Sequence, residues 1–426
     1  MGMGSLTVAN SRSSPRIFNA CVVVRVVVRA VAEAALVDEV DAGQAVPEVR
    51  AVQAGQAAVP RDPPKRATGR RDRAGPNNAC CWLVIHHREN AGEDPLARER
   101  RPMHHAASPS LIALDWGTSS LRAYLMGRDG ALLERRTQPW GIQHLPEGGF
   151  TAAFRGIAGD WRDRLPTLPV LAAGMVGSRH GWREVPYVDC PADPAAIAAG
   201  IVAFDGGCGT VHIVPGLMQG GELPDVMRGE ETQIVGALAI EPELAAASLF
   251  VLPGTHCKWA DIRTGRVVRF TTYITGELYA VLRDHSILGR PAKEAVVQPA
   301  DAALAVADAS FRRGLKTAYD SGPEGMAGRL FTTRSLFLNG DLPASQTLDY
   351  LSGLLIGEEI RSVIAGFHGR PCQPIVLLGD AGLCDRYHMA LAEYGITSVR
   401  ALAETGPSGL WQIASAARLL LEHAPG

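Results

Sequence analysis

Residues 111–125 combine an acid with a hydroxyl-rich turn between two apolar stretches. The first stretch ends at Asp115, and the second begins after the turn. The turn consists of Gly117, Thr118, Ser119 and Ser120. This pattern predicts two buried strands joined by a tight turn whose amides and hydroxyls suit phosphate oxygens. An aspartate at a strand end can hold a hydrated Mg²⁺, so phosphate chemistry is one interpretation and a plain hairpin is the other.

A second unit of the same kind lies further along the chain. The hydrophobic strand predicted for residues 248–252 enters a turn with Gly254 and Thr255, and the chain then continues as another strand. One Gly-Thr pair is a weak signal, whereas two such units, each opening an alternating α/β region, are stronger. We expect two similar domains whose turns grip one phosphate chain from opposite sides. Lys258 either adds positive charge near the transferred group or is an exposed strand lysine.

Two acids open a predicted helix that precedes the second unit. Glu230 and Glu231 follow Arg228, and an apolar helical pattern continues after them. Acids in a first helical turn are favoured by the helix dipole, so simple capping is one explanation. The other is a general base beside a cationic arginine. Glu230 is our choice for that base, although the sequence alone does not separate it from Glu231.

The segment 174–187 is rich in glycine and polar groups, yet it also carries large aromatic side chains. A binding pocket combines aromatic walls with a few placed polar groups, so we expect this segment to line a substrate pocket. A packed surface loop is the alternative. The candidate pocket residues are Met175, Ser178, Trp182, Arg183, Tyr187 and, beyond the segment, Arg228.

A third candidate ligand site follows the buried strand predicted for residues 374–378. The strand ends in Gly379, Asp380 and Gly382, and a helix follows. A strand end that feeds a glycine-rich turn into a helix is a common ligand site in α/β sheets.

Composition limits the possible classes of protein. A chain of 426 residues favours two domains, and 46% apolar with 20% charged residues is typical of globular proteins. The net charge of −2 argues against a nucleic-acid partner bound by bulk charge. Eight cysteines without a CxxC pair suggest reduced thiols and a cytoplasmic location. No run of 18 uncharged apolar residues occurs, so we expect neither a membrane span nor a membrane partner.

Residues 1–102 differ from the remainder because alanine, valine, arginine and proline dominate them. One hypothesis is that they are not part of the folded enzyme and that Met103 is the true start. The other is a disordered or weakly helical extension, reaching to residue 109. Mass spectrometry of the native N-terminus separates the two hypotheses.

From about Ser110 to its C-terminus the chain resembles the 2-dehydro-3-deoxygalactonokinase family, one of the actin/hexokinase/Hsp70-like ATPases. Seven motifs in one order are far more specific than any one of them. They occupy residues 114–118, 173–178, 227–233, 253–259, 275–278, 285–289 and 351–357.

This resemblance implies an α/β fold with two ribonuclease-H-like domains around a central cleft, over residues 110–238 and 239–426. It implies ATP-dependent phosphorylation of 2-dehydro-3-deoxy-D-galactonate at the 6-hydroxyl, with Mg²⁺ held through water by Asp115. The turns at Asp115 and at Gly254 would be the two phosphate motifs.

The resemblance also assigns roles to the remaining candidates. Gly379 and Gly382 would belong to the adenosine motif, although Asp380 stands where a second glycine is common. The sugar acid carries a carboxylate, for which Arg228 and Arg183 are the candidate cations.

Two other functions stay open at this point. One is a kinase for another sugar acid, such as 2-dehydro-3-deoxygluconate, and the other is a nucleotide-dependent regulator with the same fold. A dinucleotide-binding oxidoreductase is disfavoured, because no strand leads into a GxGxxG motif. The expected partner is a small sugar acid, and a homo-oligomer is an open possibility.

Overall fold

The computed structural model describes residues 108–295, 300–322, 325–366 and 373–420. Both hypotheses about residues 1–102 lie outside the described residues.

The first half of this part is built on a six-stranded sheet and a small three-stranded sheet. Their strands, in chain order, are β1 (Pro109–Trp116), β2 (Leu121–Gly127), β3 (Leu132–Gln138), β4 (Val170–Ala173), β5 (Val188–Asp189), β6 (Val202–Asp205), β7 (Thr210–Ile213), β8 (Leu217–Gln219) and β9 (Asp225–Met227). The large sheet has the order β3-β2-β1-β4-β7-β6, and β5-β8-β9 form the small sheet. β1 is antiparallel to β2 and parallel to β4, so the hairpin predicted around residue 117 is confirmed.

The second half repeats this arrangement. Its strands are β10 (Ala247–Leu252), β11 (Cys257–Arg263), β12 (Arg266–Tyr273), β13 (Ile375–Leu378) and β14 (Val399–Leu402). They form one sheet with the order β12-β11-β10-β13-β14. In both sheets, three antiparallel strands precede a crossover to parallel strands. This order is that of a ribonuclease-H-like domain, so the predicted fold class is confirmed.

Eleven α-helices surround the sheets in the described part of the chain. They are α1 (Gly149–Arg164), α2 (Pro194–Ala199), α3 (Glu230–Ile240), α4 (Thr275–His285), α5 (Arg290–Glu294), α6 (Ala300–Tyr319), α7 (Gly325–Arg329), α8 (Thr332–Leu338), α9 (Thr347–Gly366), α10 (Ala381–Glu393) and α11 (Thr405–Ala416). None of the helices described here is long and apolar enough to cross a membrane.

Helix α1 covers one face of the first sheet. Phe154, Ile157 and Trp161 recur every three or four residues and are buried against that sheet. This spacing is the one expected of an amphipathic helix with a single buried face.

Helices α3 and α11 cover the other face, although α11 comes last in the chain. A Cβ at Gly236 would overlap the Thr405 carbonyl, and a Cβ at Gly409 would overlap the Thr232 carbonyl. The two helices cross at glycines, which is why their backbones approach so closely. The domain boundary after residue 238 stays a prediction, but the final helix completes the core of the first half.

Candidate active site

A cleft of about 330 Å³ lies between the ends of β1 and β10. It brings together residues of both predicted turns, of the segments around Met175 and Arg228, and of the strand end at Gly379. The predicted residues on its wall are Asp115, Gly117, Thr118, Met175, Arg228, Glu230, Gly254, Thr255 and Gly379. The sequence patterns thus converge on one cavity, as expected for a cleft with a phosphate turn on each side.

The first turn is closed by a hydrogen bond from the Gly117 amide to the Ser120 carbonyl at 3.0 Å. Ser120 lies on the cleft wall, whereas the exposed side chain of Ser119 does not. Thr118 and Ser120 are therefore available to a ligand in the cleft. Ser119 was predicted to line the site, but it does not lie on the cleft wall.

Asp115 is about one-quarter exposed at the cleft, and Arg122 on β2 donates a hydrogen bond to it at 3.1 Å. Burial raises the pKa of Asp115, although the positive charge of Arg122 opposes this effect. Among the described residues, no cluster of three metal-ligating side chains occurs. A cation at this site would rest on one carboxylate and on phosphate and water oxygens, which is the ligand set that Mg²⁺ commonly uses.

The two acids that the sequence did not separate have different surroundings. Glu230 lies on the cleft wall and accepts a hydrogen bond from the Arg228 amide at 3.0 Å. Glu231 is fully buried, where it accepts hydrogen bonds from the Gly229 amide at 2.7 Å and the Thr232 hydroxyl at 3.0 Å. Burial, reinforced by the negative charge of Glu230, raises the pKa of Glu231 to about 7. Only Glu230 is placed to meet a substrate in the cleft.

Lys258 is buried, so its interpretation as an exposed strand lysine is wrong. Its ammonium group lies 3.1 Å from the Glu230 carboxylate and donates a hydrogen bond to the His256 carbonyl at 3.1 Å. Lys258 is not among the residues of the cleft wall. Its positive charge therefore faces the acid of the site.

The second turn is braced by the start of helix α4. The Glu277 amide donates a hydrogen bond to the Thr255 carbonyl at 3.0 Å, and a Cβ at Gly276 would overlap the Gly254 carbonyl. The His256 ring also lies 2.5 Å from the Glu277 carboxylate. These contacts hold the turn in a defined shape at the edge of the cleft.

The predicted substrate segment contributes less than its composition suggested. Trp182 packs in the core, with its ring 5.6 Å from Trp116 and 5.4 Å from Phe204. Ser178 has a buried hydroxyl without a partner among the described residues, and Arg183 is exposed away from the cleft wall. These three residues do not line the cleft, because Trp182 and the Ser178 hydroxyl face the interior of the first half and Arg183 faces solvent elsewhere.

Arg228 is the buried cation of the site, with about one-tenth of its surface exposed. Its guanidinium group donates a hydrogen bond to the Val185 carbonyl at 2.7 Å and stacks over the Tyr187 ring at 4.3 Å. Tyr187 therefore supports Arg228 but does not itself line the cleft. The Nε and Nη1 atoms of Arg228 have no hydrogen-bond partner in the part of the chain that the structure describes. A buried charge with open donors favours an anionic ligand.

A second cavity of about 270 Å³ adjoins the second turn through Gly254. The sequence analysis did not predict it, because its walls come from three helices that are far apart in the chain. The remaining wall residues are Thr275, Gly276, Tyr279, Ser352, Leu355, Ile356, Leu383, Arg386 and Tyr387. Leu383 belongs to the predicted adenosine motif, whereas Gly382 lies on neither cavity wall and Gly379 lies in the cleft.

A buried carboxylate holds the floor of this second cavity. Glu359 accepts hydrogen bonds from Trp259 at 2.6 Å, from Tyr387 at 2.8 Å and from Thr275. Burial raises the pKa of Glu359, although its hydrogen-bond donors oppose this effect. Thr275 and Tyr387 also form part of the cavity wall, so Glu359 links two wall elements from behind.

Two ribonuclease-H-like halves, paired Gly-Thr turns and an acid in the intervening cleft define a phosphotransferase of the actin-like ATPase class. More specifically, the chain belongs to the 2-keto-3-deoxy-galactonokinase family, whose sequence pattern matches residues 115–413.

Individual relatives agree with this family. The chain is 34% identical to the 2-dehydro-3-deoxygalactonokinase of Escherichia coli (strain K12), over 72% of this chain and 97% of the relative. It is 37% identical to a protein of Rhizobium meliloti (strain 1021) that carries the same activity in its name, over 68% and 91% of the two chains. A crystal structure from Sinorhizobium meliloti, described as a 2-dehydro-3-deoxygalactonokinase protein, superimposes with a TM-score of 0.62 at 35% identity. That match covers 72% of this chain and 98% of the other.

Proposed function

We propose that this protein transfers the terminal phosphoryl group of ATP to the 6-hydroxyl of 2-dehydro-3-deoxy-D-galactonate. The observation that carries the proposal is the position of Glu230, which lies on the wall of the same cleft as both Gly-Thr turns. Membership of the kinase family supplies the class of reaction. Its action on a small sugar acid in the cytoplasm, without nucleic-acid or membrane partners, is part of the proposal. Assembly into a homo-oligomer stays a prediction, which analytical ultracentrifugation tests.

Glu230 is the general base in this proposal. Its carboxylate accepts the proton of the 6-hydroxyl while that oxygen forms a bond to the terminal phosphorus of ATP. The bond from that phosphorus to the bridging oxygen breaks, and its electron pair leaves with ADP. The buried Glu231 supports the loop through the Gly229 amide and takes no part in the transfer.

The phosphate chain of ATP lies between the two turns, and its nucleoside occupies the second cavity. This cavity is mostly apolar and shares Gly254 with the cleft. Tyr279 and Leu383 offer faces for a purine ring, while Gly276 lets the wall approach closely. The amides of the turns at Gly117 and Gly254 then meet the phosphate oxygens.

Asp115 is the protein ligand that would hold Mg²⁺, through bound water. When bound, this ion would neutralise charge on the phosphate oxygens. A single carboxylate at the strand end fits this arrangement, because Mg²⁺ in kinase sites is usually held by few protein groups and by phosphates. The ion pair with Arg122 keeps Asp115 oriented toward the cleft.

Arg228 recognises the carboxylate of the sugar acid. Two nitrogens of its buried guanidinium group have no hydrogen-bond acceptor among the described residues, so an anionic group bound there would be stabilised. An Arg228→Met variant should raise the KM for the sugar acid about tenfold or more and leave the KM for ATP within about twofold. Steady-state kinetics with each substrate varied in turn checks this. An unchanged KM for the sugar acid would remove Arg228 from the binding site.

The direct test of the proposed function is ADP release with Mg-ATP in a coupled assay. Release should depend on 2-dehydro-3-deoxygalactonate and should be much slower with its gluconate epimer. Equal rates would indicate a kinase with broad sugar-acid specificity. Turnover that ignores both sugar acids would instead support the nucleotide-dependent regulator.

A further inference from the structure

A buried lysine contacts the acid of the active site. Lys258 lies on β11, where it is paired with Leu252 on one side and Thr272 on the other. Only 5% of its side chain is exposed. An ammonium group at such a position is unfavourable unless it meets acceptors, and here it meets the Glu230 carboxylate and the His256 carbonyl, both at 3.1 Å.

The contact fixes the Glu230 carboxylate at both of its oxygens. Oε1 faces the Lys258 ammonium group, and Oε2 accepts a hydrogen bond from the Arg228 amide at 3.0 Å. Each carboxylate oxygen has two lone-pair sites, so these contacts leave acceptor capacity on both. The Glu230 side chain keeps 23% of its surface exposed at the cleft, which is where a substrate hydroxyl would approach.

The two members of this pair come from opposite halves of the molecule. Glu230 opens α3, which packs on the first sheet, whereas Lys258 belongs to the second sheet and follows the second phosphate turn. One of the two contacts that orient the acid therefore comes from the half that carries Gly254 and Thr255.

We propose that Lys258 is a positioning residue for the general base, and that it holds Glu230 in place from the opposite half of the cleft. This inference rests on the proposed function. It assigns Lys258 a role different from phosphate binding, because its ammonium group already meets two acceptors and lies off the cleft wall. Glu230 can act as a base only while the two halves keep the separation that allows this contact.

The test is a kinetic cycle with Glu230→Gln, Lys258→Met and the double variant in the full chain. If Lys258 acts through Glu230, Lys258→Met lowers kcat by about a hundredfold and changes the KM for ATP by less than about twofold. In the Glu230→Gln background, the same substitution lowers kcat by less than about threefold. A Lys258→Arg variant keeps the charge and should recover kcat to within about tenfold of the native value.

The inference would be overturned if the loss of kcat in the double variant equals the product of the two single losses and the KM for ATP is raised. Lys258 would then be a phosphate ligand. The comparison of Glu230→Gln with the double variant decides the question even if Lys258→Met does not fold. The double variant avoids a lone buried charge, because both charges are removed. Lys316→Met is a matched control, since Lys316 forms an exposed pair with Asp320 on α6 and its loss should leave kcat unchanged.

The failure of this inference is distinct from the failure of the proposed function. If Glu230→Gln keeps the native rate, the base and its positioning lysine are both wrong, while the kinase activity of the native chain stands. If the native chain releases no ADP with a sugar acid, the proposed function itself is wrong.

Discussion

The two turns of the cleft come from sheets with the same strand order, yet they carry different chemical groups. In the first half, Asp115 lies at the end of β1 and pairs with Arg122 on the neighbouring strand. In the second half, β10 leads into Pro253 and Gly254 without an acid, and the buried charge near this turn is Lys258, while Glu277 pairs with His256 at its exposed side. The repeated fold thus provides two backbone cradles, while the acids of the site belong to the first half.

The bracing of the two turns is similar, in contrast to their charges. A Cβ at Gly141 would overlap the Thr118 carbonyl of the first turn, as one at Gly276 would overlap the Gly254 carbonyl of the second. The Ile142 amide also donates a hydrogen bond to the Gly117 carbonyl at 3.0 Å. Shape is therefore shared by the two halves, and charge is not. Variants that remove charge and variants that alter shape should give different kinds of defect.

The largest expected effect is on the exposed acid of the first half. Glu230→Gln should lower kcat by about a thousandfold, because general base catalysis commonly contributes this much. Glu231→Gln should keep kcat within about tenfold of the native value, since Glu231 is buried away from the cleft. Single-turnover kinetics of both variants measures the difference, and equal losses in the two would contradict the distinction between them.

The buried acid of the first half should affect the pH dependence of stability. The pKa of Glu231 is raised from 4.5 to about 7 in the folded chain, so its contribution is present below about pH 4.5 and is lost as the pH rises through about 7. This displacement corresponds to about 3 kcal/mol of unfolding free energy. Denaturant unfolding at pH 5 and pH 8 measures this effect. The unfolding free energy should fall less between the two pH values in Glu231→Gln than in the native chain, and an equal fall in both would show that Glu231 is not the cause.

Replacement of Asp115 at the first turn should lower kcat more than replacement of Thr255 at the second turn. Asp115→Asn should lower kcat by about a hundredfold, because the variant loses the negative charge that we propose holds Mg²⁺. Thr255→Ala should lower kcat by less than about tenfold, since backbone amides remain in place at the second turn. A titration of the rate with Mg²⁺ measures both variants, and the cation requirement should shift only in Asp115→Asn.

The smallest effects should come from the two bracing glycines. Gly141→Ala and Gly276→Ala should each lower the unfolding free energy by about 2 kcal/mol, because the new methyl group overlaps a turn carbonyl. Gly254→Ala is the control, since a Cβ there meets nothing within 4 Å. Thermal unfolding compares the three variants. A stable Gly276→Ala protein would show that the second turn can shift to make room.

Sequence patterns predicted the elements that depend on local order. The apolar stretches around Asp115 and Gly254 predicted the right hairpins, and the spacing of Phe154, Ile157 and Trp161 agrees with the buried face of α1. Each of these features is set by residues close together in the chain, where the alternation of side chains fixes which face is buried.

Features that depend on distant pairing were missed. Trp182 was expected in a pocket, but an aromatic residue in a glycine-rich loop serves a pocket or a core equally well, and here it packs on Trp116. The burial of Lys258 depends on its contact with Glu230, which comes from the other half of the molecule. The second cavity likewise depends on how α4, α9 and α10 meet.

The crossing of α3 and α11 has a consequence for how the chain is made. The residues that cover one face of the first sheet include Leu410 and Ile413, which leave the ribosome after the strands of both sheets. Until they emerge, Ile234 and Val235 of α3 lack part of the core that surrounds them, so the helix that begins at Glu230 is incompletely packed. A nascent chain stopped before residue 405 would contain both turns, but Glu230, the proposed base, would lie on a helix that is not yet fully packed.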